Sequence, residues 1–154
     1  MRYTVNEKMF ISYEGIQLLK QEEGLRLTVY KDVCGLATIG YGHLIKAGEN
    51  FPTGITAVEA GAILEADITA AEEHVRRDVT IPLNQGEFDA LVDFVFNLGD
   101  RLPGSTLLRL LNAGQVDAAC AELEKWDFAG GKPNAAIQAR RVCEMDLWAK
   151  GAQG

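Results

Sequence analysis

The sequence is poor in the residues that mark several common protein classes. It has only three cysteines, Cys34, Cys120 and Cys143, at spacings that match neither a disulfide framework nor a zinc site. We expect all three to be small buried hydrophobic residues, with a reactive thiol at Cys34 as the alternative. Because there are only two histidines, His43 and His74, we predict neither a metal nor any other cofactor.

Long apolar runs and an excess of basic residues are also missing. No stretch is apolar for the roughly 18 residues that a membrane span needs. The opening stretch MRYTVNEKMF lacks the apolar core of a signal peptide, so we expect neither a membrane anchor nor a secretory signal. The formal net charge of -7 argues against a general nucleic-acid binder, which needs a basic face.

What is present is the composition of an ordinary globular domain. The chain has 154 residues, of which 47% are hydrophobic and 24% are charged, which is enough for one domain with a substantial core. The four prolines all fall between the elements predicted below, where a missing N–H does least harm. Together these elements, several helices and one small sheet, predict a mostly helical α+β fold.

The first third of the chain predicts a helix followed by a small sheet. Ser12 is a good N-cap and Gly24 a natural stop, which makes Glu23 the last helical residue. The run LRLTVY alternates like a strand, KDVCG is typical of a turn, and LATIGYGHLI predicts a returning strand with glycine interruptions. Such a hairpin or three-stranded sheet is too small to be stable alone, so it must pack against helices.

The rest of the chain predicts helices only. Thr56 and Glu59 form a capping box for a helix that runs to about Val79. This is either one long core helix or a helix that joins two lobes. Helix signals then recur in four further segments, at about 84–98, 105–111, 116–126 and 134–150.

Two acids near the end of the first helix are candidates for acid–base chemistry. Glu23 lies at a helix C-terminus, where the helix dipole and any burial raise its pKa, as a general acid near neutrality requires. Asp32 lies in the turn, where water and backbone N–H groups can keep it ionised, and the hydroxyl of Thr38 could position a water. One protonated and one ionised carboxyl group are typical of glycoside cleavage. Each residue also has an ordinary structural explanation, because aspartate is common in turns and threonine in strands.

The run EGLRLTVYKDVCGLATIGYGH resembles the active-site signature of the phage-type lysozymes, glycoside hydrolase family 24. That signature is Glu-Gly, then Tyr-x-Asp, then Gly-x-x-Thr-Ile-Gly-x-Gly-His, and every part is present. Further similarity lies in GIT..EA at 54–60, Asp67, FNLG at 96–99, STLLRLLNAG at 105–114, Trp126, AGGKP at 129–133 and RRVCE at 140–144. The similarity extends over roughly residues 12–149.

The resemblance implies a two-lobed lysozyme-like fold in a single domain, 1–154. The N-terminal lobe at about 12–55 would hold the small sheet, the helix at about 57–79 would connect the lobes, and a helical C-terminal lobe would occupy about 80–150. The implied activity is that of a muramidase, which hydrolyses the β-1,4 bond between N-acetylmuramic acid and N-acetylglucosamine in peptidoglycan with inversion. Its expected outcome is lysis of the bacterial cell wall.

The resemblance also implies a role for individual residues. Glu23 matches the general acid, Asp32 the second carboxylate and Thr38 the threonine that orients the attacking water. Leu44 and Phe96 match positions that line the saccharide cleft, although either could instead pack the lobes together. The adjacent Glu22 is expected to be solvated.

Two further positions concern charge pairing. In the family, the histidine that matches His43 pairs with an aspartate of the long helix, which is Asp67 here. Some members place a basic residue near the catalytic glutamate, at the position of Gln138 in this chain. Either Arg140 or Arg141 supplies that charge instead, or the glutamate has no cationic partner.

The implied partner is the peptidoglycan glycan strand, bound by a monomer without nucleic acid. Synthesis without a signal peptide in the host cytoplasm would be followed by release to the wall. Two alternatives stay open: a lytic transglycosylase that uses Glu23 but not Asp32 and leaves anhydro ends, and a catalytically silent lysozyme-like module that binds the wall. The presence of Asp32 and Thr38 beside Glu23 favours hydrolysis.

Overall fold

A computed structural model describes residues 5–129 and 131–152 of the chain. Residues 1–4, which begin the stretch without a signal-peptide core, lie outside the described residues, as do Gly130 of the AGGKP motif and residues 153–154. Both ends of the predicted domain 1–154 therefore lie outside them as well. Within the described ranges, no helix combines the length and the apolar character needed to cross a membrane.

The first helix ends where the sequence predicts. Helix α1 covers Tyr13–Glu23, and its N-cap Ser12 accepts a hydrogen bond from the N–H of Gly15. Gly24 adopts a φ of 68° and donates its N–H to the carbonyl of Lys20, which closes the helix directly after Glu23. Both ends follow from local chemistry, a side-chain cap and a glycine at positive φ.

The small sheet has three antiparallel strands in the order β1-β2-β3. They are β1 Arg26–Lys31, β2 Ala37–Gly40 and β3 His43–Leu44. The predicted returning strand is thus two strands rather than one. Gly40 and Gly42 both have a φ of 68°, so the chain turns between them instead of continuing in extended conformation.

Helix α2, Ala57–Asp78, contacts two separate groups of buried side chains. Its capping box forms as predicted, because the Thr56 and Glu59 side chains each accept from the other residue's backbone N–H. Near its start, Ala60 packs with Ile39 and Ile55 beneath the sheet. Further along, four of its side chains join the main core: Leu64, Ile68, Ala71 and Val75.

The second half of the chain is mainly helical. Its helices are α3 Gln85–Leu98, α4 Thr106–Asn112, α5 Val116–Glu122 and α6 Ala135–Gly151. The predicted helix at 116–126 is shorter than expected and ends in a 3-10 turn, Leu123–Lys125. The expectation of helices only is also wrong, because β4 Phe128–Ala129 and β5 Lys132–Pro133 form a small hairpin. Its turn contains Gly131, whose φ is 80°, a value that ends helical continuation.

Helices α3 and α6 cross at very close range. A Cβ atom on Gly86 would lie 2.1 Å from the carbonyl oxygen of Leu147, so only glycine permits this approach. The crossing sits beside the main core, where Phe88, Leu91 and Phe94 are fully buried. It brings the middle of α3 within side-chain reach of α6.

The prediction of three buried cysteines is only partly correct. Cys120 and Cys143 are half-buried, whereas Cys34 is exposed in the turn between β1 and β2. Burial raises the pKa of Cys120 to about 11 and also raises the pKa of Cys143. The thiols of the two helical cysteines therefore stay protonated and unreactive at neutral pH.

Candidate active site

Glu23, at the end of α1, is mostly buried against α6. Its side chain is 16% exposed, and the Nη1 of Arg140 donates a hydrogen bond to its Oε1 at 2.7 Å. Burial raises the pKa of Glu23, helped by the negative charges of Asp93 and Glu22 and opposed by Arg140. Glu23 therefore keeps a proton to higher pH than an ordinary glutamate, as a general acid must.

The cation beside Glu23 is supplied by Arg140. Arg141, the other candidate, directs its Nη2 to Glu144 Oε2 at 2.8 Å and lies away from Glu23. Gln138 is exposed. The alternative in which Glu23 lacks a cationic partner is therefore wrong.

Glu22 is not the freely solvated residue that the sequence predicts. It is half-buried and lies near the thiol of Cys143, whose pKa it helps to raise. Because Glu22 and Glu23 point to different sides of the α1 terminus, they have different partners on α6. Only Glu23 meets a cation there.

Asp32 is held in the β1–β2 turn by backbone groups, as predicted. The N–H groups of Cys34 and Leu36 donate to its Oδ1 at 2.9 and 2.8 Å. Its other oxygen, Oδ2, has no hydrogen-bond partner among the described residues. A half-buried carboxylate fixed through one oxygen can use the other to accept a proton from a water.

Thr38 is tied to Asp32 through a shared backbone residue. Its hydroxyl donates to the carbonyl of Leu36 at 2.8 Å, and the N–H of the same Leu36 donates to Asp32. The side chain is buried, with 1% exposure. Since the single hydroxyl proton is already used, the oxygen can only accept a hydrogen bond from a water.

Tyr30 is a neighbour of both acids that the sequence reasoning did not single out. Burial raises its pKa, and the charges of Glu23 and Asp32 raise it further against the effect of Arg26. The Arg26 guanidinium lies over the Tyr30 ring at 4.6 Å from its centroid. The only sequence signal for Tyr30 was its place in the Tyr-x-Asp motif, two residues before Asp32.

Leu44 and Phe96 line one cleft between the sheet and α3. The cleft has a volume of about 220 Å³, and Gly42 also forms part of its wall. Glu23 lies directly behind that wall, because a Cβ atom on Gly42 would be only 2.0 Å from Glu23 Oε2. Leu44 is 49% exposed, and the pairing of β3 with β2 places it opposite Thr38. The apolar surface of Leu44 is therefore adjacent to the strand that carries Thr38.

One group of side chains has the composition of a metal site. Among the described residues, His74, Asp78 and Asp100 have ligand atoms close enough to share an ion. Arg77 already occupies this position, with Nη2 at 2.9 Å from His74 Nδ1 and Nε donating to Asp78 Oδ1 at 2.8 Å. A guanidinium therefore supplies the positive charge in this cluster.

Comparison with known proteins identifies the family. The family model described as Phage lysozyme matches residues 20–144. The chain belongs to the phage lysozyme family. The endolysin of Salmonella phage P22 is 40% identical to it over 137 residues, which make up 86% of this chain and 94% of that protein.

Solved structures agree with this assignment. The muramidase domain of SpmX from Asticaccaulis excentricus superposes with a TM-score of 0.79 at 36% identity, covering 92% of this chain and 98% of that one. The endolysin from Escherichia coli O157:H7 phage FAHEc1 gives a TM-score of 0.81 at 32% identity, covering 92% and 94%. This phage lysozyme is therefore a glycoside hydrolase with the predicted α+β lysozyme fold.

His43 of this phage lysozyme is clamped between two carboxylates. Its Nδ1 lies 2.7 Å from Asp67 Oδ2, as predicted, and its Nε2 lies 3.0 Å from Glu49 Oε1, which was not foreseen. Burial lowers the pKa of His43, but the hydrogen bonds with Asp67 and Glu49 outweigh it and leave the pKa raised. Glu49 belongs to the loop after β3, where the Lys46 N–H also holds it at 2.7 Å.

We expect Asp67→Asn to change the pH dependence of stability. A histidine whose folded-state pKa is raised contributes stability that is complete below its unfolded pKa of about 6.5 and is lost as pH rises through the folded value. The variant should therefore lose most stability below about pH 6.5 and least above the folded pKa. Urea unfolding across a pH series measures this. An alkaline limb identical to that of the wild type would mean that the pair does not stabilise charged His43.

Proposed function

We propose that this phage lysozyme is a muramidase that cleaves the β-1,4 bond between N-acetylmuramic acid and N-acetylglucosamine with inversion. The observation that carries the proposal is the position of Glu23, a buried acid with a raised pKa that lies against the cleft wall at Gly42. Glu23 does not itself line this cleft, so the proposal requires the sugar chain to extend from the cleft past Gly42 to the Glu23 carboxyl group. The catalytic residues are Glu23, Asp32 and Thr38.

Glu23 acts as the general acid. It donates its proton to the leaving-group oxygen as the glycosidic bond breaks, and the negative charge that remains is stabilised by Arg140 at 2.7 Å. A cationic partner of a general acid must stabilise the carboxylate that forms after proton transfer. It must not lower the pKa so far that the acid is ionised before the transfer. The raised pKa of Glu23, despite this contact, meets both requirements.

Asp32 and Thr38 together orient the attacking water. The free Oδ2 of Asp32 takes one proton of the water, and the Thr38 oxygen accepts a hydrogen bond from the other. The water lone pair is then directed to the anomeric carbon on the face opposite the leaving group, which inverts its configuration. Leu36 supports this arrangement, because its N–H and carbonyl fix Asp32 and Thr38 respectively.

Leu44 and Phe96 form the apolar part of the saccharide site. One is half-exposed on the sheet and the other lies on α3, so a sugar between them would contact both sides of the cleft. Apolar side chains suit the hydrophobic faces of pyranose rings, while a few polar groups set their orientation. The peptidoglycan strand is the partner in this proposal, bound by a monomer that acts on the wall after release.

The lobe boundaries belong to the same proposal. One domain would contain an N-terminal lobe at 12–55, the connecting helix at 57–79 and a C-terminal lobe at 80–150. The two groups of buried side chains that α2 contacts support this division, since Ala60 packs beneath the sheet and Leu64 joins the main core.

Analysis of the reaction products tests the proposal. We expect muropeptides released from purified peptidoglycan to carry reducing N-acetylmuramic acid ends, with the α anomer formed first. Mass spectrometry separates these from the anhydro ends of a lytic transglycosylase, which differ by one water, and early proton NMR spectra identify the anomer. Anhydro products would overturn hydrolysis, and initial β anomers would overturn inversion. Binding to the wall without any released product would indicate a silent module.

A further inference from the structure

Four buried ionisable side chains lie behind Glu23 at the crossing of α3 and α6. Asp93 belongs to α3, and Arg140, Arg141 and Glu144 belong to α6. Their side chains are 0% exposed, except for Arg140 at 6%. Charges so far from water are costly unless they are paired and hydrogen-bonded, so the pairing pattern within this group is strongly constrained.

Asp93 holds Arg140 with both of its carboxylate oxygens. Arg140 Nε donates to Oδ2 at 3.0 Å, and Nη2 donates to Oδ1 at 2.9 Å. A two-point contact of this kind fixes the plane of the guanidinium. The remaining nitrogen, Nη1, is then directed to Glu23, which it meets at 2.7 Å.

Glu144 binds the far side of Asp93. Its Oε2 accepts from Arg141 at 2.8 Å, whereas no N–H group among the described residues reaches its buried Oε1. The Glu144 carboxyl group also lies within hydrogen-bonding reach of the Asp93 carboxylate. Two carboxyl groups can make that contact only when one of them carries a proton.

The proton of this pair belongs to Glu144. Burial, together with Asp93, raises the pKa of Glu144 well above its usual range. For Asp93 burial acts in the same direction, but Arg140 and the hydrogen bond from Glu144 outweigh it, so the pKa of Asp93 is lowered. Asp93 is therefore the ionised member and Glu144 the neutral donor.

We propose that Asp93 is a positioning residue for the general acid. Its carboxylate aligns Arg140 toward Glu23 and takes up enough of the guanidinium charge for Glu23 to keep its proton. The inference deepens the proposed function and rests on the role of Glu23 in it. Without the charge of Asp93, Arg140 would act on Glu23 alone and would favour its ionised form.

The neighbouring charges are consistent with this balance. The titratable groups that face Glu23 are Glu22 on α1, Tyr30 on β1, Asp93 on α3 and Arg140 on α6. Those that face Asp93 are Glu23 on α1 and Arg140, Arg141, Cys143 and Glu144 on α6. Since Arg140 is the one cation in the first set, the extent to which Asp93 neutralises it sets how strongly Arg140 opposes the effect of burial on the pKa of Glu23.

Carboxyl carbon NMR tests the proposal without using activity. The pKa of Glu23 is measured in the wild type, in Asp93→Asn, in Arg140→Gln and in the double variant. We expect Asp93→Asn to lower the pKa of Glu23 by about one unit, and the alkaline limb of kcat/KM to move to lower pH with it. In the Arg140→Gln background the same change should have a clearly smaller effect, because the cation that Asp93 restrains is absent.

An unchanged pKa of Glu23 in Asp93→Asn, or equal shifts in both backgrounds, would overturn the proposal. If Asp93→Asn does not fold, the wild-type spectra still decide, because they must show Asp93 ionised and Glu144 protonated at neutral pH. A neutral Asp93 there is incompatible with the proposal. Failure of the proposed function would give a different result. In that case Glu23→Gln would keep full activity, while Glu23 of the wild-type protein would still titrate as expected.

Discussion

Replacement of Glu23 by glutamine is expected to reduce cell-wall hydrolysis by about 10³-fold, since general acid catalysis contributes about 10²–10⁴-fold. Glutamine has the same shape and can still accept the hydrogen bond from Arg140, but it has no acidic proton to donate. The geometry of the cleft should therefore survive while the leaving group stays unprotonated. A turbidity assay of the clearing of outer-membrane-permeabilised cells measures the loss of activity.

Glu22→Gln is the matched control, because Glu22 is the neighbouring acid on the same helix and contacts Cys143 rather than the cleft. It should retain most of the activity. If Glu23→Gln clears the suspension as fast as the wild type, Glu23 is not the acid.

Glu23→Gln should also stabilise the protein at pH values above the pKa of Glu23. A carboxyl group with a raised folded-state pKa binds more protons in the folded than in the unfolded state, so stability falls as pH rises through that window. Burial is the main cause of the raised pKa of Glu23. The neutral amide removes this penalty, and we expect the gain above the pKa of Glu23 but not at low pH. Thermal unfolding of both proteins at one pH above and one pH below the pKa of Glu23 measures this gain in stability.

Gly42→Ala is expected to lower activity by about 10²-fold or more, the effect of displacing a catalytic group by about 1 Å. The new Cβ atom would lie 2.0 Å from Glu23 Oε2 and 2.7 Å from its carboxyl carbon. The Glu23 side chain must move, and its contact with Arg140 must change with it. The variant also places alanine at a φ of 68°, which costs about 1–2 kcal/mol of stability.

Gly104→Ala separates these two effects. Gly104 has a φ of 77°, and a Cβ atom there would meet nothing within 4 Å. This control should lose a similar amount of stability and keep its activity. Steady-state hydrolysis and urea unfolding of both variants provide the comparison. Equal activities in Gly42→Ala and Gly104→Ala would show that Gly42 does not restrict the position of Glu23.

Much of the secondary structure could be predicted because its signals are local. The ends of α1 depend on Ser12 and Gly24, and the start of α2 depends on Thr56 and Glu59, all within a few residues of the backbone groups they satisfy. The hairpin of β4 and β5 was missed because two-residue strands carry no periodicity. The exposure of Cys34 was missed because burial of a side chain in a turn depends on which other elements pack against that turn.

The sequence by itself determined the family and the candidate catalytic residues, because these are written in one continuous motif. The tertiary structure decided the partners of those residues, and burial in it raises the pKa of Glu23. Arg140 and Arg141 are adjacent, but successive residues point about 100° apart around a helix, so the phase and crossing of α6 decide which one meets Glu23. That contact joins residues 117 positions apart, and the buried pairing of Asp93 with Arg140 that governs it forms only when α3 and α6 pack.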